Sequence, residues 1–182
     1  MTEVYIVNAS PLFDPQKCAS VLSSLSGELY LHIKRKKITV ERARSLAGYL
    51  ILAYAARKAG YDFSLDDVTF DPNGKPYRKS GDLFFSLSHS GDYSVCAVSD
   101  GPVGVDIEEK SRVSLLISRR FLGGKGVEEW TRREAKGKFT GKGFTDTEEP
   151  NAVYSDYDLE GYHVTVCATE KAGEIATVTL PD

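Results

Sequence analysis

Apolar residues between positions 39 and 59 recur at the three- and four-residue spacing of one buried helix face. Thr39 is a suitable N-terminal cap, Glu41 lies in the first turn, and Gly60 is a common helix terminator. The pattern therefore predicts a long helix over this stretch. Weaker patterns predict three further helices. One follows Asp14, which would cap it, and the other two cover 115–121 and 128–139.

Short apolar runs bounded by turn residues predict strands in most of the remaining chain. The predicted strands are 4–7, 68–70, 83–87, 94–99, 103–107, 153–157, 162–169 and 175–180. Clusters of Pro, Gly, Asn, Asp and Ser predict polar turns at 71–76, 88–92 and 100–102. Glycines at 123–126 predict a break between the last two helices.

Helices and strands mixed in this order predict an α+β fold. The run Val95-Cys96-Ala97 returns as Val166-Cys167-Ala168, each time in a strand that follows a main helix. This echo is compatible with two similar α+β halves, divided here as 1–101 and 102–182. No low-complexity linker separates them, so we expect the halves to pack tightly.

Composition predicts a soluble globular protein, with 41% hydrophobic and 27% charged residues. No apolar run is long enough for a membrane helix, and the first residues lack the basic start and apolar core of a signal peptide. Cys96 and Cys167 lie in apolar runs, which favours buried free thiols, and the three cysteines lack metal-ligand spacing. We therefore expect a cytoplasmic location.

The net charge of −3 is unevenly distributed. Residues 30–58 carry eight basic residues against Glu41 alone, a net charge of +7, and residues 112–142 carry nine against three acids, a net charge of +6. Two basic segments in an acidic protein favour a local anionic ligand or partner over general nucleic-acid binding. Solvated helix faces are the ordinary alternative for any single lysine.

Asp106 and Glu108 stand two residues apart on a predicted strand and therefore share one face of it. Two like charges on one face favour a bound cation, although such alternation is common on half-exposed strands. Glu134 is a candidate third ligand. With Lys138 four residues later it also fits a plain surface ion pair on a helix.

His89 lies among Ser88, Ser90 and Gly91, where a histidine is commonly just a polar turn residue. The G-x-S-x-G elbow of an acyl-transfer serine is missing, and the glycines around Lys75 match neither a P-loop nor a dinucleotide fingerprint. Classical nucleotide folds are therefore not expected.

Four short motifs in fixed order resemble the 4'-phosphopantetheinyl transferase superfamily, in its Sfp-like branch. They are N-G-K-P (73–76), F-x-x-S-H-S-G (85–91), G-V-D-I-E (104–108) and W-x-x-R-E-A-x-x-K (130–138). With Arg44 in R-S-L-A-G, the resemblance extends over about two-thirds of the chain. It implies a fold of two similar α+β halves with the site between them.

The resemblance implies transfer of the phosphopantetheine arm of coenzyme A to a serine of an apo carrier protein, releasing adenosine 3',5'-bisphosphate. It also implies roles for individual residues. Magnesium would be held by Asp106, Glu108 and Glu134, and coenzyme A by Arg44, Lys75, Ser88, His89 and Lys138. Glu134, Lys138 and His89 would act in catalysis, with Glu134 as ligand, as base for the carrier serine, or as both.

Three departures from the family pattern are visible. Ser86 replaces the usual Asn, Arg133 replaces a Lys, and the segment 122–129 is shorter than is usual. The short segment bears on the choice of carrier more than on coenzyme A, because in the family that region helps to form the carrier-facing surface.

The expected partners are coenzyme A and a carrier protein with an acidic helix, without nucleic acid or membrane, and we expect a monomer. Two other functions stay open. One is a non-catalytic module of the same fold that binds coenzyme A or a carrier, and the other is a metal-dependent phosphohydrolase using the same three acids.

Overall fold

The computed structural model describes residues 1–111, 126–144 and 150–180. Within these ranges the chain forms four α-helices and nine β-strands. The helices are α1 Pro15–Ser23, α2 Gly27–Lys34, α3 Thr39–Lys58 and α4 Val127–Thr140. The strands are β1 Glu3–Asn8, β2 Val68–Phe70, β3 Pro76–Arg78, β4 Phe84–Ser90, β5 Tyr93–Ser99, β6 Val103–Glu109, β7 Val153–Leu159, β8 Tyr162–Ala168 and β9 Ile175–Val178.

These strands form three sheets. A four-stranded sheet has the order β4-β5-β1-β9, with β9 parallel to β1 and its other pairs antiparallel. A three-stranded antiparallel sheet has the order β6-β8-β7, and β2 pairs with β3 in a small ribbon. β4 and β6 are edge strands of different sheets and lie against each other.

Alternating side chains divide the interior into two cores. On one face of the four-stranded sheet, Tyr5, Val7 and Cys96 pack with the buried face of α3. On its other face, Val4 and Ile6 pack with apolar residues of β6 and β8. α4 covers the far face of the three-stranded sheet, so the molecule is layered as helix, sheet, sheet and helix.

Most predicted elements are confirmed, with shifts of a few residues at their ends. The long helix α3 begins at Thr39 itself, with Ile38 in the capping position, so the predicted Thr39 cap is wrong by one residue. The Asp14 cap of α1 is confirmed, because its side chain accepts hydrogen bonds from the backbone N–H groups of Gln16 (2.8 Å) and Lys17 (2.9 Å).

The polar turn predicted at 88–92 is wrong over its first half. Ser88, His89 and Ser90 continue strand β4 and pair with β5, and the reversal is confined to Gly91 and Asp92. Gly91 has φ +55°, a conformation that suits glycine at a tight reversal. Helix α2 and strand β3 are additional elements, and the helix predicted at 115–121 lies outside the described residues.

The mixed α+β class is confirmed. The two strands that carry the Val-Cys-Ala echo, β5 and β8, are each interior strands of their sheets. The last strand, β9, joins the first sheet, and the chain passes between sheets in the short turn that follows β5. A twofold relation of the halves and the division at 101 stay predictions. Among the described helices, none combines the length and apolar character that crossing a bilayer requires.

Candidate active site

The eight side chains singled out in the sequence lie where β4, β6 and α4 adjoin. They are Arg44 on α3, Lys75 between β2 and β3, Ser88 and His89 on β4, Asp106 and Glu108 on β6, and Glu134 and Lys138 on α4. β4 and β6 lie side by side and α4 packs on β6. Residues separated by up to about a hundred positions in the chain therefore belong to one region of the surface.

Three alternate serines of β4 form a row that contacts β6, and we call Ser86, Ser88 and Ser90 the serine row. Residues at alternate positions of a strand share one face, which places all three hydroxyls toward β6. Their contacts are Ser86 Oγ with Val105 N (3.0 Å), Ser88 Oγ with Asp106 Oδ1 (2.7 Å) and Ser90 Oγ with Glu108 Oε2 (2.8 Å). Hydroxyl groups thus connect the edges of the two sheets and contact both predicted metal acids.

Asp106 is the most buried acid of the group, with 4% of its surface exposed. Its Oδ1 accepts hydrogen bonds from Ser88 Oγ and from Lys138 Nζ (2.8 Å), and Lys138 Nζ also donates to the carbonyl oxygen of Val105 (2.9 Å). Its Oδ2 is buried and has no hydrogen-bond partner in the described part of the chain. A buried carboxylate needs compensating charge, and Lys138 supplies part of it.

Glu134 lies one helical turn before Lys138, within electrostatic range of the two β6 acids. Burial raises the pKa of the Glu134 carboxyl, and the negative charges of Asp106 and Glu108 raise it further. The positive charge of Lys138 opposes this rise of the pKa only in part. Glu134 therefore lies close enough to both β6 acids and to Lys138 to interact with them electrostatically.

The donor chemistry of this group fits magnesium, which prefers carboxylate oxygens and retains coordination positions for phosphate and water. The unpartnered Oδ2 of Asp106 is the observation that supports such a ligand. Across the described ranges, no group of three or more His, Cys, Asp or Glu side chains is already arranged to hold a metal ion. Metal binding at these acids therefore stays a prediction.

Two adjoining cavities open beside the acids. A cavity of about 280 Å³ is lined by Arg44, Ser88, His89 and Lys138, among others. A second, of about 320 Å³, is lined by Lys75, Glu134 and Lys138 together with glycines of the turns around them. Both include Gly74, Pro76, Leu87 and Lys138 in their walls, so they meet at Lys138.

Lys75 connects the turn before β3 to the end of α4. Its Nζ donates a hydrogen bond to the carbonyl oxygen of Lys138 at 2.6 Å. Burial lowers the pKa of the Lys75 amine, and the carboxylate of Asp71 opposes that shift only in part. Lys75 thus places a partly buried cation in the wall of the second cavity.

Arg44 and His89 carry basic groups in the wall of the first cavity. Arg44 Nε donates to the carbonyl oxygen of Gly91 (2.6 Å), and its Nη1 donates to Glu41 Oε1 (2.7 Å). Burial lowers the pKa of the His89 imidazole, although Glu41 Oε2 at 4.0 Å from its Nε2 acts in the opposite direction. Glu41 therefore orients Arg44 and adjoins His89.

Glu41, Ser86 and Ser90 are members of the site that the sequence motifs do not predict. Ser86 and Ser90 had a detectable signal, because serines at alternate positions precede a D-x-E pair by a similar spacing. Because His89 was predicted to lie in a turn, the serines on either side of it were not recognised as alternate positions of one strand. Ser86, which stands where the family has Asn, accepts a hydrogen bond on Oγ from Val105 N and so contacts the backbone of β6.

Comparison with curated proteins identifies relatives of one kind. In an alignment of 165 positions the chain is 28% identical to 4'-phosphopantetheinyl transferase psf-1 of Bacillus pumilus, and the match covers 79% of this chain and 70% of the relative. In an alignment of 206 positions it is 27% identical to 4'-phosphopantetheinyl transferase gsp of Aneurinibacillus migulanus, covering 92% and 86% of the two. With 4'-phosphopantetheinyl transferase Sfp of Bacillus subtilis (strain 168) it shares 37% identity over 65 residues, covering 34% and 29%. No family model matches the chain. These relatives confirm the resemblance that the motifs predict, which is to the 4'-phosphopantetheinyl transferases and fits their Sfp-like branch.

Proposed function

We propose that this protein is a magnesium-dependent phosphopantetheinyl transferase, of the holo-[acyl-carrier-protein] synthase type. It moves the 4'-phosphopantetheine arm of coenzyme A to a serine of an apo acyl or peptidyl carrier protein and releases adenosine 3',5'-bisphosphate. The observation that carries the proposal is the convergence of Ser88 and Lys138 on the buried carboxylate of Asp106, beside two cavities lined by basic groups. The relatives, which are named 4'-phosphopantetheinyl transferases, support the transfer of phosphopantetheine.

Coenzyme A carries a diphosphate and a 3'-phosphate, and the first cavity has the charge to receive such groups. Arg44, His89 and Lys138 line it, and Lys75 lines the adjoining cavity. Guanidinium and imidazole N–H groups give directional hydrogen bonds to phosphate oxygens, whereas an ammonium acts as a compact charge. We assign coenzyme A binding to these residues and to Ser88.

Magnesium, when bound, would neutralise charge on the diphosphate, and Asp106, Glu108 and Glu134 are the residues that would hold it. The chain itself has to keep two β6 acids and one α4 acid close together. The serine row holds the two β6 acids, and Lys138, from the same helix as Glu134, donates to Asp106 at 2.8 Å. This arrangement offsets the mutual repulsion of the acids before any ligand arrives.

In the proposed reaction the hydroxyl oxygen of the carrier serine forms a bond to the β-phosphorus of coenzyme A. The bond from that phosphorus to the bridging oxygen breaks, and the bridging oxygen leaves with adenosine 3',5'-bisphosphate. Glu134 is our candidate to take the serine proton, because burial and neighbouring acids raise its pKa toward the range of a useful base. Lys138 and His89 carry positive charge or hydrogen-bond donors toward the leaving phosphate.

The remaining parts of the proposal concern the whole molecule. We propose a monomeric cytoplasmic protein whose halves, 1–101 and 102–182, are similar and share the site between them. The partner would be a carrier protein that presents an acidic helix to the basic segments at 30–58 and 112–142. Residues 112–125, which complete the second segment, lie outside the described residues.

Incubation with coenzyme A, Mg²⁺ and an apo carrier, followed by mass spectrometry of carrier and nucleotide, tests the proposal. We expect the carrier to gain one phosphopantetheine group and an equal amount of adenosine 3',5'-bisphosphate to appear. No gain over a panel of carriers, with coenzyme A still bound, would indicate a non-catalytic module instead. Release of phosphate or nucleotide without any carrier would indicate a hydrolase.

A further inference from the structure

We propose that Ser90 is a positioning residue for Glu108, and that its hydroxyl proton sets the place of that carboxylate for a divalent cation. The inference rests on the proposed function, because it concerns the acids assigned there to magnesium. Ser90 itself lines neither of the two cavities around Lys138, so its effect would be exerted through Glu108.

The Ser90 hydroxyl is held from two directions. Its side chain is buried, with 2% of the residue exposed, and Oγ donates to Glu108 Oε2 at 2.8 Å. The same oxygen accepts a hydrogen bond from the backbone N–H of Glu109 at 3.1 Å. A serine hydroxyl has one proton and two lone pairs, so the bond from Glu109 N leaves the proton directed at Glu108.

The turn that follows Ser90 is anchored to the same sheet as Glu108. Tyr162, the first residue of β8, accepts a hydrogen bond on its Oη from the backbone N–H of Asp92 at 3.2 Å. Its ring also packs edge-on against Tyr93, with centroids 5.0 Å apart. Ser90 therefore belongs to the four-stranded sheet, while the turn after it contacts the three-stranded sheet that contains Glu108. These contacts fix the position of Ser90 relative to Glu108.

Ser88 offers a useful comparison within the serine row. Its single proton is donated to Asp106 Oδ1. Asp106 also has Lys138 as a charged partner at 2.8 Å. Because Ser88 is assigned to coenzyme A as well, its replacement would mix two effects, and Ser90 gives the cleaner test of positioning.

The test measures binding of Mn²⁺, a hard oxygen-ligand substitute for Mg²⁺, by electron paramagnetic resonance without coenzyme A or carrier. We expect Ser90→Ala to weaken Mn²⁺ binding by about 10- to 100-fold, as is typical when a group that orients a metal ligand is lost. Ser155→Ala is the matched control, because Ser155 is a buried strand serine whose Oγ accepts a backbone bond from Ala172 N at 3.0 Å. We expect Mn²⁺ binding of that control to equal the wild type.

A double-mutant comparison separates positioning from a general structural effect. If Ser90 acts through Glu108, Ser90→Ala should have no further effect on Mn²⁺ binding in a Glu108→Gln chain. An equal loss in both backgrounds, or unchanged binding in Ser90→Ala, would overturn the inference. Where Ser90→Ala does not fold, Ser90→Cys, which keeps the size but donates weakly, should show the same loss of affinity.

The outcomes also distinguish this inference from the proposed function. A chain that binds Mn²⁺, shows the Ser90 effect and yet transfers nothing to any carrier would support the positioning role and overturn the transferase proposal. A wild-type chain that binds no Mn²⁺ would overturn the magnesium assignment and the Ser90 inference with it.

Discussion

Replacing Gly104 by alanine should separate α4 from β6 and thereby displace half of the candidate site. A Cβ at this position would lie 2.6 Å from the backbone nitrogen of Phe139 and closer still to the carbonyl oxygen of Ala135. Ordinary contact begins near 3.4 Å, and both opposing atoms belong to the helix backbone, which cannot rotate away. The helix would therefore have to retreat by about 1 Å or more.

The expected losses of stability and of transfer in Gly104→Ala follow from the packing of α4 and from the site residues on it. Overpacking of this kind typically costs about 1–3 kcal/mol of unfolding free energy. The retreat would also carry Lys138 away from Asp106, with which it now makes a 2.8 Å hydrogen bond. Since a displacement of about 1 Å in a catalytic group can cost about 100-fold in rate, we expect a loss of transfer of that order in Gly104→Ala.

Urea unfolding and a carrier-transfer assay would measure both effects. Gly101→Ala is the matched control, because it lies in the turn just before β6 and its Cβ would meet Thr169 Oγ1 at an ordinary 3.5 Å. We expect Gly101→Ala to match the wild type in both assays. If Gly104→Ala unfolds at the same urea concentration as Gly101→Ala, the close packing of α4 on β6 is refuted as the reason for this glycine.

Three further predictions concern single side chains. Lys138→Met leaves the buried Asp106 carboxylate without its ion-pair partner, so the free energy of unfolding should fall by about 2 kcal/mol. This is less than the loss of about 3–5 kcal/mol typical of fully buried pairs, because Lys138 is partly exposed. Urea denaturation at neutral pH measures the change, and an unchanged free energy of unfolding would contradict the pairing. Glu134 has a raised pKa, so the folded state binds its proton more tightly and gains stability at low pH that is lost as the pH rises through the folded pKa. In metal-free buffer Glu134→Gln should therefore be more stable than wild type at neutral pH. This difference in stability should shrink as the pH falls through the raised folded pKa and be absent below the ordinary value of 4.5 for a glutamate; a difference independent of pH would refute the raised pKa. Gly91→Ala should lower the free energy of unfolding by about 2 kcal/mol or more, because φ is +55° and the new Cβ would lie 2.8 Å from the Tyr162 ring. A melting temperature equal to that of the wild type would contradict this expectation.

Local patterns in the sequence were sufficient for the main elements. The apolar spacing predicts α3 itself, but the helix is buried on more than the one predicted face: ten of its residues are buried, including Tyr49 and Leu52, whereas Tyr54 is exposed. The same kind of spacing does not predict α2, because only Leu29 and Ile33 are buried in it. Two apolar residues one turn apart are too few to define a helix face. Its C-terminal end, at Lys34, is basic, and basic residues in a sequence are equally typical of a solvated loop.

The end of β4 shows why polar residues mislead such a reading. Ser88, His89 and Ser90 have the composition of a turn, yet they remain in strand pairing with β5. Besides this backbone pairing, the Ser88 and Ser90 hydroxyls donate to acceptors on β6, which lie eighteen positions away in the sequence. Contacts between two sheets are not visible in local composition.

The ordering of motifs predicted which residues would meet, but not how their hydrogen bonds would be distributed. Glu134 and Lys138 have the spacing of a surface ion pair, whereas Lys138 donates to Asp106 and to Val105 across the interface with β6. Arg44 uses two of its donors on Glu41 and Gly91, an arrangement that depends on how α3 packs against the β4–β5 reversal. The roles assigned to these residues stay predictions.

The measurement closest to the central claim is the intact mass of an apo carrier protein after incubation with coenzyme A, Mg²⁺ and either wild-type chain or Asp106→Ala. Circular dichroism of the variant would verify that it is folded. We expect one added phosphopantetheine group with the wild type and none with Asp106→Ala at any practical Mg²⁺ concentration. Equal modification by both proteins, or none by the wild type over a panel of carriers, would contradict it.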